Sequence, residues 1–138
     1  MPKFSTISQQ KLFTCHQDLQ VLFREVIKYY DCTVLEGFRN EADQNKAVAE
    51  GHSKLKWPNG KHNKSPSCAV DVIPYPINWK DEDRHRVFAG FVLGIAAMLK
   101  EQGKITHAIR WGGSWNGFDT LNKPGMLNDL VHFEVVEG

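Results

Sequence analysis

A carboxylate interrupts the most apolar short strand that the sequence predicts. Asp71 lies in the run Ala69 to Ile73, whose other members are residue types that are usually buried. A buried carboxylate stays ionised only when it is paired with a cation or coordinates a metal ion. The chain must therefore fold so that a positive charge reaches Asp71. The candidates are Arg39, Arg110 and a metal ion, and the position of Asp71 alone favours neither an arginine nor a metal.

The spacing of apolar residues predicts an α+β domain. Three helices and four short strands alternate with two long polar loops, over residues 52 to 67 and 112 to 128. This order favours a small, largely antiparallel sheet in a single domain spanning residues 1 to 138. The predicted helices begin near Thr6 or Ser8 and reach Tyr30, follow Asn40 to Glu50, and follow Asn78 and Asp81 to Gln102; the predicted strands are Cys32 to Phe38, Ala69 to Ile73, Ile105 to Trp111 and Val131 to Val136.

Charge and hydropathy exclude several classes of protein. Lys and Arg total 17 against 16 for Asp and Glu, so a general attraction to nucleic acid or to an anionic membrane is not expected. The longest apolar-rich stretch, Val87 to Leu99, is too short to span a bilayer and fits a buried helix.

Three widely spaced cysteines, Cys15, Cys32 and Cys68, predict buried thiols in a reducing compartment. An N-terminus without an apolar signal segment agrees with residence in the cytoplasm.

Two imidazoles could join Asp71 around one metal ion. His62 precedes Asp71 by nine residues in the first loop, and His132 lies in the last predicted strand, three residues after Asp129. A catalytic zinc site needs three protein ligands, an open position and a nearby base. Each residue also has an ordinary interpretation. A strand histidine such as His132 is more often structural, Asp129 could accept backbone hydrogen bonds in a turn, and His62 could be a solvated loop residue with His52 as a rival ligand.

The remaining histidines are predicted to lie outside the site. His85 falls between two arginines on a predicted helix and is expected to face solvent. His16 and His107 are expected to be structural.

Three segments together resemble a known family of zinc peptidases, the D-alanyl-D-alanine carboxypeptidase (VanY-like) family. They are Gly37-Phe38-Arg39 with Gln44, the segment from Lys61-His62-Asn63 through Ser67 to Asp71, and Asp129 to Glu134. The resemblance is greatest to its short phage L-alanyl-D-glutamate endolysins and covers nearly the whole chain, without a separate wall-binding module. It implies a hedgehog or D-Ala-D-Ala peptidase-like fold.

The resemblance also implies a role for each residue. Zinc would be held by His62, Asp71 and His132, with Asp129 as the catalytic base. Arg39 would orient the substrate or stabilise the oxyanion. The commoner spacing in the family would place Lys64, a poor ligand while protonated, at the position of the first histidine. His62 is therefore taken as the ligand, with a two-residue insertion before Asp71.

The resulting hypothesis is a monomeric, zinc-dependent endolysin that cuts the L-alanyl-D-glutamate bond of bacterial peptidoglycan. It would stay in the host cytoplasm until a membrane pore releases it to the cell wall. Trp115 and Trp111 would form a wall of the cleft, although Trp111 could equally belong to the core. Two alternatives remain open, a D-alanyl-D-alanine carboxypeptidase and a zinc-stabilised binding module without turnover. Asp129 disfavours the binding module, because a structural zinc site needs no base.

Overall fold

A computed structural model describes residues 2–117 and 119–136. Met1, Phe118, Glu137 and Gly138 lie outside the described residues, and so do those parts of the predicted domain 1 to 138 and of the predicted loop 112 to 128. Among the described residues, no helix combines the length and the apolar character that crossing a membrane requires. The elements are α1 (Thr6–Phe13), α2 (Gln17–Val26), β1 (Cys32–Glu36), α3 (Glu41–Ala49), a 3₁₀ turn (Lys61–Asn63), β2 (Ala69–Pro74), α4 (Glu82–Glu101), β3 (Ala108–Gly112) and β4 (Asp129–Val136).

The four strands form one antiparallel sheet in the order β1-β2-β4-β3, which confirms the predicted α+β class. One face of the sheet packs on α2 and α4. Phe133 of β4 lies at the centre of this layer, with its ring 5.4 Å from Phe23 of α2 and 6.2 Å from Phe88 of α4. Val70 and Val72 of β2 point into the same core. Because side chains alternate along a strand, Asp71 must point to the opposite face.

The single N-terminal helix predicted from the apolar stripe is wrong, since the structure divides it into α1 and α2. Cys15 forms a parallel bridge with Ser67 instead of continuing the helix. The backbone N–H of His16 donates to Ser67 at 2.7 Å, and the N–H of Ser67 donates to Thr14 at 2.9 Å. His16 then caps α2 by accepting the N–H of Asp18. The apolar spacing continues across the break because Leu12 of α1 and Leu19 of α2 join the same core.

Capping residues set the starts of α3 and α4 as predicted, whereas α2 ends at Val26 and not at Tyr30. The side chain of Asn40 accepts the N–H of Asp43 at the start of α3, and Asp81 does the same for Arg84 at the start of α4. Gly51 and Gly103 follow the ends of α3 and α4 with φ of 78° and 74°.

The prediction that His85 of α4 faces solvent is wrong. Its side chain is buried, and its Nε2 lies 3.2 Å from the carbonyl oxygen of Asn78.

Each strand has limits that differ from the predicted ones, since β2 extends to Pro74 and β4 already begins at Asp129. At the start of β3 and the end of β1, a side chain takes over backbone hydrogen bonds. β3 starts at Ala108 and not at Ile105, since the N–H groups of Thr106 and His107 donate to the Asp18 carboxylate. β1 ends at Glu36. A Cβ on Gly37 would collide with the carbonyl of Lys11, so only glycine lets the chain pass α1 this closely.

Candidate metal centre

The structure brings His62, Asp71 and His132 together. Nε2 of His62 lies 3.1 Å from Oδ1 of Asp71, and Nδ1 of His132 lies 3.4 Å from the same oxygen. One ligand atom from each of the three residues falls within 4.8 Å of the others. His62 and His132 are buried, and Asp71 is nearly so. This arrangement leaves the three donor atoms around one small space.

Strand register explains two of the three positions. Asp71 of β2 and His132 of β4 are direct partners across the antiparallel pair, so both side chains stand on the same face of the sheet. His62 comes from the 3₁₀ turn beside β2. That turn is anchored where the N–H of Cys68 donates to Lys61. The two rival ligands, Lys64 and His52, are both exposed.

A backbone carbonyl sets the tautomer of His62. Nδ1 of His62 lies 2.8 Å from the carbonyl oxygen of Gly37. Because a carbonyl only accepts hydrogen bonds, Nδ1 must carry the proton. In the neutral ring, the lone pair is then on Nε2, the atom that faces Asp71.

A carboxylate sets the tautomer of His132 in the opposite sense. Nε2 of His132 donates to Oε1 of Glu134 at 2.8 Å, which leaves the lone pair on Nδ1. Glu134 is held in turn by Arg110 at 2.7 Å and by Lys61 at 3.2 Å. Burial opposes ionisation of Glu134, yet the contacts with His132 and Arg110 lower its pKa to about 2. Glu134 is therefore an anion that fixes the orientation of the His132 ring, a role that was not predicted from the sequence.

The donor set fits a divalent metal ion. Two imidazole lone pairs and a carboxylate oxygen converge, and they repel one another unless a positive charge lies between them. Without a metal, that charge has to be a proton. Burial alone would lower the pKa of His132, but its hydrogen bonds to Asp71 and Glu134 raise it to about 10. Burial likewise opposes ionisation of Asp71, while the electrostatic interaction with His62 and the hydrogen bond from His132 lower its pKa.

Asp129 lies at the edge of this space. Its Oδ2 is 3.8 Å from Nδ1 of His132, and its side chain is 36% exposed, so it can meet both the centre and solvent. Burial raises the pKa of Asp129, and the negative charge of Asp71 raises it further. Gly112 of β3 pairs with Asp129 at a bulge, and a Cβ there would collide with the Asp129 backbone. The strand contact therefore depends on that glycine.

Arg39 enters the centre from the other side. Its Nη2 lies 3.8 Å from Oδ2 of Asp71, so the ion-pair interpretation of Asp71 applies to Arg39, whereas Arg110 pairs with Glu134.

Gln44 of α3 is 1% exposed and hydrogen-bonds Arg39 and the two loops beside it. Its Oε1 accepts from Nη1 of Arg39 and from Nδ2 of Asn63, next to His62. Its Nε2 donates to Ser53 and to the carbonyl of Leu55. Gln44 thus ties the arginine to the ligand-bearing turn.

The two tryptophans that were predicted to line the cleft lie in different environments. Trp111 is 3% exposed and packs in the core, where its indole N–H donates to Leu130, so its predicted place in the cleft wall is wrong. Trp115 does line the cleft, with its ring 5.6 Å from the ring of His132. The cleft has a volume of about 570 Å³. Trp79, which was not predicted from the sequence, also lines the cleft.

A second cluster, His16, Asp18 and His107, has comparable ligand spacing but different chemistry. Oδ2 of Asp18 accepts from the N–H groups of Thr106 and His107, and also contacts the Thr106 hydroxyl and Nδ1 of His107. Nδ1 of His16 already accepts the N–H of Asp18. Donors surround this carboxylate, so it needs no cation. The cluster joins α2 to β3, in agreement with the structural roles predicted for its histidines.

Comparisons with known proteins point to one group of enzymes. The family model for phage L-alanyl-D-glutamate peptidase matches residues 1–136. The chain is 28% identical over 120 residues to the L-alanyl-D-glutamate peptidase of Escherichia phage T5, covering 83% of this chain and 82% of that protein. The crystal structure of the Serratia marcescens L-Ala D-Glu endopeptidase ChiX matches with a TM-score of 0.68 at 23% identity, over 97% of this chain and 90% of that chain. This structural match shows a common fold.

Proposed function

The chain belongs to the phage L-alanyl-D-glutamate peptidase family, and we propose that it cleaves its substrate with a zinc ion held by His62, Asp71 and His132. It is a peptidoglycan-cleaving peptidase of the endolysin type, which confirms the prediction made from its motifs. The observation that carries the zinc proposal is the convergence of two imidazole lone pairs and one carboxylate oxygen, with Asp129 at the open side.

Zinc suits this donor set better than calcium or magnesium, because both of those ions prefer ligands that are all oxygen. When bound at three protein ligands, zinc supplies a Lewis acid and makes a coordinated water more acidic. His62 and His132 hold their lone pairs toward it because Gly37 and Glu134 occupy their other nitrogens. Hydrogen bonds that orient the ligating histidines in this way are a general feature of metal sites.

Asp129 is proposed as the general base. It is close enough to the centre to remove a proton from the attacking water and exposed enough to pass that proton to the leaving amine. Its raised pKa suits both steps, since a carboxyl group that protonates more readily is a stronger base and can then act as an acid. A purely structural site has no use for such a group.

Arg39 is proposed to stabilise the oxyanion or to orient the substrate carbonyl. The guanidinium is fixed before substrate arrives, because Gln44 accepts from Nη1 and Glu36 lies 3.6 Å from Nε. Fixed charge of this kind stabilises a developing negative charge without further reorganisation. Trp115 would border the substrate on the His132 side.

The enzyme acts on the cell wall, and we propose that it does so as a monomer after waiting in the host cytoplasm for a membrane pore. The proposal of a monomer is supported by the single chain's contribution of every proposed ligand and of the base. The cytoplasmic stage is supported by the three buried cysteines. Burial raises the pKa of Cys15 and of Cys32 to about 12, as suits unreactive thiols in a reducing compartment.

Product analysis tests the proposed reaction. The zinc-loaded enzyme is incubated with purified peptidoglycan, and the released fragments are identified by mass spectrometry. New amino termini on D-glutamate are expected, and Asp129→Ala should abolish them while zinc content stays the same. Release of free D-alanine would contradict the endopeptidase assignment.

A further inference from the structure

A tryptophan stands exposed at the rim of the active cleft. Trp79 lines the cleft, yet its side chain is 58% exposed. Leu55 and Leu127, from two other loops, line the same cleft and are each 51% exposed. Single exposed leucines are ordinary on protein surfaces, but three large apolar side chains around one polar centre form a surface suited to a ligand.

The loop that carries Trp79 is held in place by the first turn of α4. Nη1 of Arg84 donates to the carbonyl of Pro76 at 2.8 Å, and Nη2 donates to the carbonyl of Tyr75 at 3.2 Å. Within the loop, the side chain of Asn78 accepts the N–H of Lys80. These contacts fix the backbone on both sides of Trp79, so the indole can meet a ligand at little cost in conformational entropy.

His85 supports the tryptophan from below. Its ring is buried, and its centre lies 6.1 Å from that of Trp79. Its Nε2 donates to the carbonyl of Asn78, the residue before the tryptophan. A buried imidazole that lies beside the indole and holds the backbone next to it restrains the position of Trp79 at the cleft.

If the proposed function holds, the structure of the substrate indicates which of its groups lies next to this surface. In the stem peptide, the amino group of L-alanine is acylated by the lactyl group of N-acetylmuramic acid. When the L-alanyl-D-glutamate bond lies at the metal centre, the sugar is about two residue lengths away, or roughly 7 Å along an extended chain. The glycan must then lie against one rim of the cleft.

We propose that Trp79 forms a glycan subsite, in which the indole stacks on the apolar face of an N-acetylated pyranose of the glycan strand. Tryptophan is suited to this role because its large flat surface contacts C–H groups while its N–H can meet a hydroxyl. The subsite would make the enzyme prefer stem peptides that are still attached to sugar. It would also let this small chain bind the cell wall through its catalytic domain.

The test compares two substrates of the zinc-loaded enzyme. One is a disaccharide-linked stem peptide, and the other is the same peptide with an acetyl group in place of the muramic acid. The measured quantity is the ratio of kcat/KM for the first substrate to kcat/KM for the second. Trp79→Ala should lower this ratio on the order of tenfold, mainly through KM, and Trp79→Phe should keep most of it.

A matched control separates the subsite from general effects of losing an exposed aromatic. Tyr29 is 64% exposed and lies outside the cleft, so Tyr29→Ala should keep the wild-type ratio. As a second measurement on the wild type, free disaccharide should shift the indole N–H resonance of Trp79, assigned with Trp79→Phe. An unchanged ratio in Trp79→Ala, or an unshifted Trp79 resonance, would overturn the subsite. If the wild type cleaves neither substrate, the proposed function itself fails and the subsite fails with it.

Discussion

Replacing Glu134 by glutamine should weaken zinc binding while leaving the fold intact. Glu134 is 4% exposed, and its two oxygens divide their contacts between the imidazole of His132 and the cations of Arg110 and Lys61. Glutamine has the same shape but only one acceptor oxygen. If that oxygen serves His132, the amide N–H groups confront two cations. If it serves the cations, the amide presents N–H to Nε2 and favours a proton on Nδ1, where the metal should bind.

The expected loss follows from this conflict. Removing a partner that holds a ligating histidine typically costs 10- to 100-fold in metal affinity, or about 1.4–2.7 kcal/mol. The value for Glu134→Gln should lie toward the upper end, because the substitution disturbs two cations as well as the imidazole. Ligand geometry is otherwise preserved, so the variant should still bind one zinc ion at saturation.

A competition titration against a chromophoric chelator measures this effect. Glu25→Gln is the matched control, since Glu25 pairs with Lys28 on the surface of α2, and its zinc affinity should equal that of the wild type. Thermal unfolding of both variants without metal checks the fold. Wild-type zinc affinity in a folded Glu134→Gln would refute the claim that this carboxylate holds His132 in its ligating tautomer.

Asp129→Asn should lower kcat by roughly 10²- to 10⁴-fold with zinc content unchanged, as measured by peptide cleavage and by elemental analysis, and retained activity would remove its role as base. Gly112→Ala should cost about 1–3 kcal/mol in the free energy of unfolding, because the new methyl group meets the backbone of β4, and calorimetry measures the loss. Burial opposes ionisation of Asp18, but hydrogen bonds from His107 and Thr106 lower its pKa, so its stabilisation is complete at neutral pH and is lost as the pH falls below about 4. Chemical unfolding across this range should show Asp18→Asn less stable at pH 7 but less sensitive to acid, and parallel pH profiles would contradict the assignment.

Local patterns in the sequence predicted most of the fold. Caps such as Asn40 and Asp81 act within four residues, so their helix starts could be read directly. The break between α1 and α2 could not, because it depends on a bridge from Cys15 to Ser67, 52 positions along the chain. The start of β3 was missed for a similar reason, since Asp18 captures the backbone N–H groups of Thr106 and His107 from a distant helix.

Some residues of the candidate site could likewise be predicted from local sequence patterns, and others could not. Asp71 and His132 were identifiable because each puts a polar side chain between two apolar neighbours of a strand. The contacts of Glu134 with His132 and of Gln44 with Arg39 could not be predicted, since they depend on which side chains meet in the folded chain. Alternation did offer a signal for Glu134, which shares a face of β4 with His132. His85 looked solvent-facing beside two arginines, yet it is buried beneath the loop of Trp79.

The metal content of three purified proteins tests the central claim most directly. The wild type should bind one zinc ion per chain, as measured by elemental analysis after dialysis. His62→Ala should lose most of that zinc. Lys64→Ala should retain it, because Lys64 is exposed two residues away. A wild type that binds no zinc, or a folded His62→Ala that binds it fully, would contradict the account.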